Sequence, residues 1–138
     1  MSTFIFVHLI HVMSAVFAGG LVAAVAVVAG RSATDSSLTN RLLLRLTRGA
    51  SLGLGATFLT GIGLDLVVGG ALHERWWFRL AGISMIAAGA LIATVRRRLS
   101  RVASGAVGQT ALLAVPWLAY AACAVVAWIT VLMELQPF

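Results

Sequence analysis

Four apolar stretches dominate the chain, at residues 4–30, 49–72, 77–95 and 107–133. Each is long enough to cross a bilayer, which takes roughly 20 residues of helix. Short alternating segments separated by turns, the signature of a membrane barrel, do not occur. Asp65 interrupts the second stretch, and its glycines lower intrinsic helicity. In lipid, however, a backbone has only itself to bond with, so the helix is retained. The pattern predicts an all-α fold, an antiparallel four-helix transmembrane bundle, with residues 1–138 forming a single transmembrane domain.

The connections are informative too. In the first, Ser36 and Ser37 are placed to cap a helix starting near Leu38. Leu38, Leu42 and Leu46 then recur every four residues, while Arg41, Arg45 and Arg48 line another face. That arrangement suits a short amphipathic segment at the interface, running into the second helix. The second connection, 73–76, is so short that it makes the helices on either side antiparallel neighbours. The third carries Arg96, Arg97, Arg98 and Arg101, followed by a Ser104–Gly105 turn.

Composition agrees with this pattern. Of 138 residues, 61% are apolar, with 14 glycines and no lysine, and the mean hydropathy is +1.03. A soluble domain of this size has more surface than so few polar groups can cover. The first stretch lacks a basic start and is longer than an ordinary signal core, so it is expected to remain as a helix. The net charge of +6 would suggest nucleic acid as a partner in a soluble protein. Here the arginines sit in blocks beside apolar runs without interleaved aromatics, which argues for a lipid bilayer and no nucleic acid. The single cysteine, Cys123, excludes an intrachain disulfide.

Arginine counts predict orientation. The first and third connections, with their edges, hold eight of the ten basic residues. Positive-inside bias then places both arginine blocks in the cytoplasm and both termini outside, in a bacterial inner membrane. Trp76, Trp77 and Phe78 would form the outer aromatic belt.

Polar residues converge on that outer side. Counted from the ends of the predicted helices, His11 and Asp65 lie at matched depth, roughly 10 Å inside at 1.5 Å per residue. His8 is shallower, His73 and Glu74 cap the short hairpin, and Glu134 closes the last helix. His8, His11, Ala15, Gly19, Val22 and Ala26 share one face, opposite the bulkier Ile10, Met13, Phe17 and Leu21. Thr57, Gly61, Asp65 and Gly69 are spaced by four. Pro116, Tyr120, Cys123, Ala127, Thr130 and Glu134 make a third stripe. Small and ionisable faces turn inward in membrane bundles, so a polar pocket opening outward is expected. Asp65 needs a cation, water or a proton there, and His11 is its expected partner. Such a pair can bind a proton, steer an imidazole toward a metal or haem, or simply lock two helices. Pro116 is expected to kink the last helix. Gly49–Gly53 and Ala15–Gly19 are spaced as packing motifs.

Short motifs carry a family resemblance. His11 followed by Phe17, Ala18, Gly19, Gly20 and Leu21 resembles the histidine-bearing first helix shared by the CopD copper-resistance domain, HemJ-type protoporphyrinogen oxidases and their relatives without assigned activity. Thr60-Gly61-Ile62-Gly63-Leu64 resembles their "TG..L" second helix, and Trp76–Leu80 is similar to the start of their third. The resemblance implies a four-helix unit in which His11 ligates haem b or copper. The chain has no lysine to match the functional lysine of the HemJ-type second helix, which places it nearer the members without assigned activity.

Three functions are compatible with the sequence. The first is binding of haem b or a metal ion through His11, with His8 or His73 as further ligands and Asp65, Glu134 and Tyr120 in support. The second is a structural or assembly role, as a homo-oligomer or in a larger membrane complex. The third is small proton-coupled transport with Asp65 as the titrating group. Phosphate loops, dinucleotide fingerprints, HExxH sites and serine elbows are lacking.

Overall fold

The computed structural model describes residues 2–31 and 37–134, apart from the side chains of Ser2 and Ser37. Ser36 and the Ser37 hydroxyl, expected above as caps, lie outside the described residues. Four α-helices follow in order: α1 (Ser2–Arg31), α2 (Ser37–Val67), α3 (Trp76–Ala103) and α4 (Val115–Glu134), with a 3₁₀ segment at Gln109–Ala114 leading into α4. Each helix packs against its neighbours in a ring, α1 on α2, α2 on α3, α3 on α4, and α4 back on α1. All four are long and apolar enough to cross a membrane.

Spacing along each helix explains the ring. The buried residues of α2 include Leu43, Thr47, Ala50, Leu54, Thr57 and Leu64. In α3 they are Ala81, Ala88, Ile92, Val95 and Leu99, and α1 contributes Ala18, Val22, Val25 and Ala29. These steps of three and four form a narrow seam rather than a broad apolar face. Much of what lies off the seam is apolar and exposed. Val16, Leu52, Leu66 and Trp117 each expose more than 70% of their surface. At most a third of the most apolar window of any helix is buried. Water would penalise that surface heavily, at roughly 25 cal/mol per Å², whereas hydrocarbon accepts it.

Several hydroxyls within the spans bond to their own helices. Thr57 donates to the Gly53 carbonyl at 2.9 Å, Thr94 to Ala90 at 2.8 Å and Ser51 to Thr47 at 2.9 Å. Such back-bonding lets a polar side chain sit in an apolar medium without an unpaired donor. The Gly49–Gly53 pair works as a packing contact. A β-carbon at Gly53 would come within 3.0 Å of the Ala18 β-carbon, and one at Gly49 within 3.0 Å of Leu21 Cδ1. Glycine at these positions brings α2 close to α1.

Several boundaries differ from the sequence reading. Residues 38–48 are not a separate interfacial segment but the first three turns of α2, with Leu43 and Thr47 inward and Leu38 and Leu42 exposed. Arginine is a good helix former, so α3 continues through Arg96, Arg97, Arg98 and Arg101 to Ala103. Arg98 Nη1 reaches the Ala111 carbonyl at 3.4 Å, tying α3 to the 3₁₀ segment. Pro116 does not kink α4. It is the second residue of that helix, where a missing N–H breaks no bond within the helix.

Two glycine caps end helices of the ring. After α2, Gly69 has φ +74°, the Gly70 amide donates to the Asp65 carbonyl at 2.8 Å, and the Gly69 amide donates to the Leu66 carbonyl at 3.1 Å. The same paired bonds follow α3, from Ala106 to Arg101 and from Gly105 to Val102, with Gly105 at φ +72°. This is the Schellman arrangement, which needs a left-handed residue where side chains are strained. The first of these caps stops α2 five residues earlier than expected, and that shift repositions Asp65.

Candidate functional site

His11 sits on α1 with its ring over α2. A β-carbon at Gly61 would lie 3.4 Å from its Cε1, so the imidazole rests directly against that helix. Its Nδ1 is 3.0 Å from Thr60 Oγ1. The same hydroxyl lies 2.8 Å from the Ala56 carbonyl and 3.1 Å from that of Thr57. A hydroxyl has a single proton, and two carbonyls lie within its reach; when it donates to its own helix, Thr60 accepts from Nδ1–H and Nε2 is left as a bare lone pair.

Two adjoining cavities meet at this ring. A smaller one of about 210 Å³ is bordered by His11, Phe58, His73, Phe78, Met85 and Met133, among others. A larger one of about 490 Å³ is bordered by His11, Ala15, Met85, Thr130, Met133 and Glu134. Both walls are mainly apolar, unlike the polar pocket expected, because the inward side chains between α1, α3 and α4 are small or aliphatic.

Asp65 is not the partner of His11. Its Oδ1 accepts from the backbone amides of Leu72 at 2.8 Å and His73 at 3.0 Å, and its Oδ2 lies 3.2 Å from His73 Nδ1. The expected depth assumed a helix running to Leu72. With α2 ending at Val67, the carboxylate is two residues, about 3 Å, from the helix end, beside orphan amides of the turn. Arg79 Nε then donates to the His73 carbonyl at 2.6 Å. Asp65, His73 and Arg79 thus form a knot that shapes the hairpin between α2 and α3.

The other expected residues divide. His73 borders the smaller cavity, although its side chain is 61% exposed and turned toward Asp65. Glu134 borders the larger cavity from the end of α4. His8 is exposed and stacks on Phe4, with ring centroids 5.7 Å apart, away from both cavities. Tyr120 is at the opposite end of the bundle. A β-carbon at Gly30 would overlap its hydroxyl, and Gly30 is 19 residues from His11, roughly 28 Å along α1. The stripe expected on α4 divides. Val115, Ala119, Ala122 and Ile129 are buried and Tyr120 and Ala127 exposed, while Cys123 packs against the core and Thr130 and Glu134 border the larger cavity.

Sequence reasoning missed Met85, Met133 and the role of Thr60. Among the described residues, no three of His, Cys, Asp and Glu come together to hold a metal ion. Comparison with protein-family models, curated proteins and solved structures finds no match, so the resemblance noted above rests on its short motifs alone.

Proposed function

We propose that this chain is a multi-pass protein of a bacterial inner membrane, with both termini outside, that binds haem b or a metal ion through His11 Nε2. The observation that carries this reading is the Thr60–His11 hydrogen bond. With that hydroxyl donating to its own helix, Nδ1 carries the proton, and the other nitrogen belongs to a ring bordering two cavities. Outer contacts of this kind orient and strengthen imidazole ligands. The fit to the named groups is uneven. Zinc prefers three or four His, Cys or carboxylate ligands, which the described residues do not assemble. Haem needs an imidazole and an apolar slot, and both elements are present around His11. When bound, haem or copper would supply redox chemistry; the chain's own residues would orient the ligand nitrogen and keep bulk water away from it.

Two features of the TG pair support the resemblance that suggested haem or copper. Thr60 is hydrogen-bonded to the first-helix histidine, and Gly61 lies against its ring. The test is an absorption spectrum and metal analysis of the full chain purified in detergent. A Soret band or stoichiometric metal, lost in His11→Ala and weakened in Thr60→Val, is the expected result. A protein with no Soret band, no bound copper or zinc and no stabilisation by added metal contradicts the proposal.

One observation favours a second reading, as a subunit of an oligomer or larger complex. Gly20, Gly55, Gly82 and Gly89 have no neighbour within 4 Å of a built β-carbon, leaving small-residue surface open to another helix. Stoichiometric partners in the purified material, with function unchanged in His11→Ala, would select it. Proton-coupled transport loses the observation it rested on, since the Asp65 carboxylate is held by the hairpin.

A further inference from the structure

The outward stripe of α2 changes character once along its length. Arg41, Arg45, Arg48, Leu52, Gly55 and Leu59 follow one another at steps of four and three, all exposed, on the side opposite the buried Leu43, Thr47, Ala50 and Leu54. We infer that this stripe binds one anionic phospholipid, with the phosphate held by Arg45 and Arg48 and an acyl chain laid along Leu52, Gly55 and Leu59. Such binding requires membrane-spanning helices and is independent of what His11 holds. The orientation proposed above makes the leaflet concerned the cytoplasmic one.

Depth sets where the stripe divides. A hydrocarbon layer of about 30 Å takes roughly 20 residues of helix, and measured back from Val67 at the end of α2 it finishes near Arg48. Arg48 and Arg45 therefore stand at the level of lipid phosphates, with Arg41 at the aqueous edge. From Arg48 to Leu59 the helix rises about 16 Å, close to the depth of a single leaflet's hydrocarbon. Leu52 and Leu59 are 76% and 68% exposed, and nothing lies within 4 Å of a β-carbon built at Gly55 between them, which leaves a dip between two ridges. Charge points to the same occupant. A guanidinium stays ionised and grips phosphate in a bidentate fork. Among the described residues, no hydrogen bond or ion pair engages the side chains of Arg41, Arg45 or Arg48. The described acids, Asp65, Glu74 and Glu134, all belong to the other end of the bundle, and Asp35 lies outside the described residues. On α3, Arg97 and Arg101 are exposed at the same end, but their stripe runs on into Thr94 and Ala90, which give an acyl chain no ridge to follow.

The experiment titrates the full chain in neutral detergent with phosphatidylglycerol, and with phosphatidylcholine in parallel, and counts bound lipid by native mass spectrometry. The expected result is one phosphatidylglycerol per chain, held about tenfold or more tighter than phosphatidylcholine and loosened by added salt. Arg45→Gln/Arg48→Gln should weaken it by about tenfold or more. Arg97→Gln/Arg101→Gln removes the same charge from the same end and should change it by less than about threefold. Glutamine is a good helix former, so these exposed changes leave the fold intact. Equal losses in the two double variants would reveal a diffuse field with no site and overturn the inference. Phosphatidylcholine bound as tightly as phosphatidylglycerol would overturn it too. So would displacement of the lipid by inorganic phosphate at the same concentration, which would mark an anion site that takes no acyl chain.

Discussion

Replacing Gly53 by alanine tests the packing that brings His11 onto α2. The added methyl carbon would lie 3.0 Å from the Ala18 β-carbon, 3.1 Å from its α-carbon and 3.4 Å from its nitrogen. Carbon atoms pack at about 3.5–4.0 Å, so α1 must retreat by roughly half an ångström or more. The obstruction includes helix backbone, which no rotamer change can relieve. Overpacking of this kind costs about 1–3 kcal/mol. Alanine in place of a helical glycine recovers about 0.5–1 kcal/mol through backbone entropy. Gly55→Ala isolates that gain, because nothing lies within 4 Å of its added carbon. The difference between the two variants is therefore the steric term alone, about 1–3 kcal/mol, or roughly 5- to 150-fold in the unfolding equilibrium. Reversible unfolding in mixed micelles, followed by tryptophan fluorescence as denaturing detergent is raised, measures both. If Gly53→Ala proves as stable as Gly55→Ala, α1 and α2 are not in contact at this level and the placement of His11 over Gly61 loses its support.

Three further outcomes follow from the same geometry. Asp65→Leu leaves two hairpin amides without their acceptor and should cost about 1–3 kcal/mol in the same titration; unchanged stability would show that the carboxylate does not hold the turn. Gly69→Ala places a side chain at φ +74° and should cost about 1–2 kcal/mol, whereas Gly20→Ala, in open space, should be neutral or stabilising. In a Cys123→Ser background, an impermeant maleimide should label Glu74→Cys on intact cells and Ser104→Cys only after permeabilisation, and the reverse pattern would invert the orientation.

The number of helices was legible because bilayer thickness sets a length that four apolar runs meet, independently of how they pack. The phase of α1 was nearly right. Bulky Met13 and Phe17 are exposed, and Val22 and Ala26 are buried as expected, because large and small residues alternate clearly there. On α4 the same reasoning held only in part. Alanine, valine and tryptophan are all at home in lipid, so little polarity contrast distinguishes the inward face, and Tyr120 and Ala127 sit outside at low cost while Thr130 borders the larger cavity. Asp65 was misjudged for a different reason. The Gly69–Gly70 pair carried a helix stop, but lipid was expected to override glycine's helix-breaking tendency. Once the chain turns there, the nearest cations and donors belong to the hairpin and not to α1. The two cavity methionines carried no signal of their own, since methionine in an apolar helix reads as packing until the fold shows its neighbours.

Ligation by His11 turns on which of its ring nitrogens carries the proton. Nitrogen-15 NMR of the apo protein, with the ring assigned through His11→Ala, reads the tautomer from the shifts of the two ring nitrogens. The expected spectrum has Nδ1 protonated and Nε2 bare, with the assignment weakened or lost in Thr60→Val. A native spectrum with the proton on Nε2 would mean that Thr60 donates to the ring and that no free nitrogen is offered for ligation.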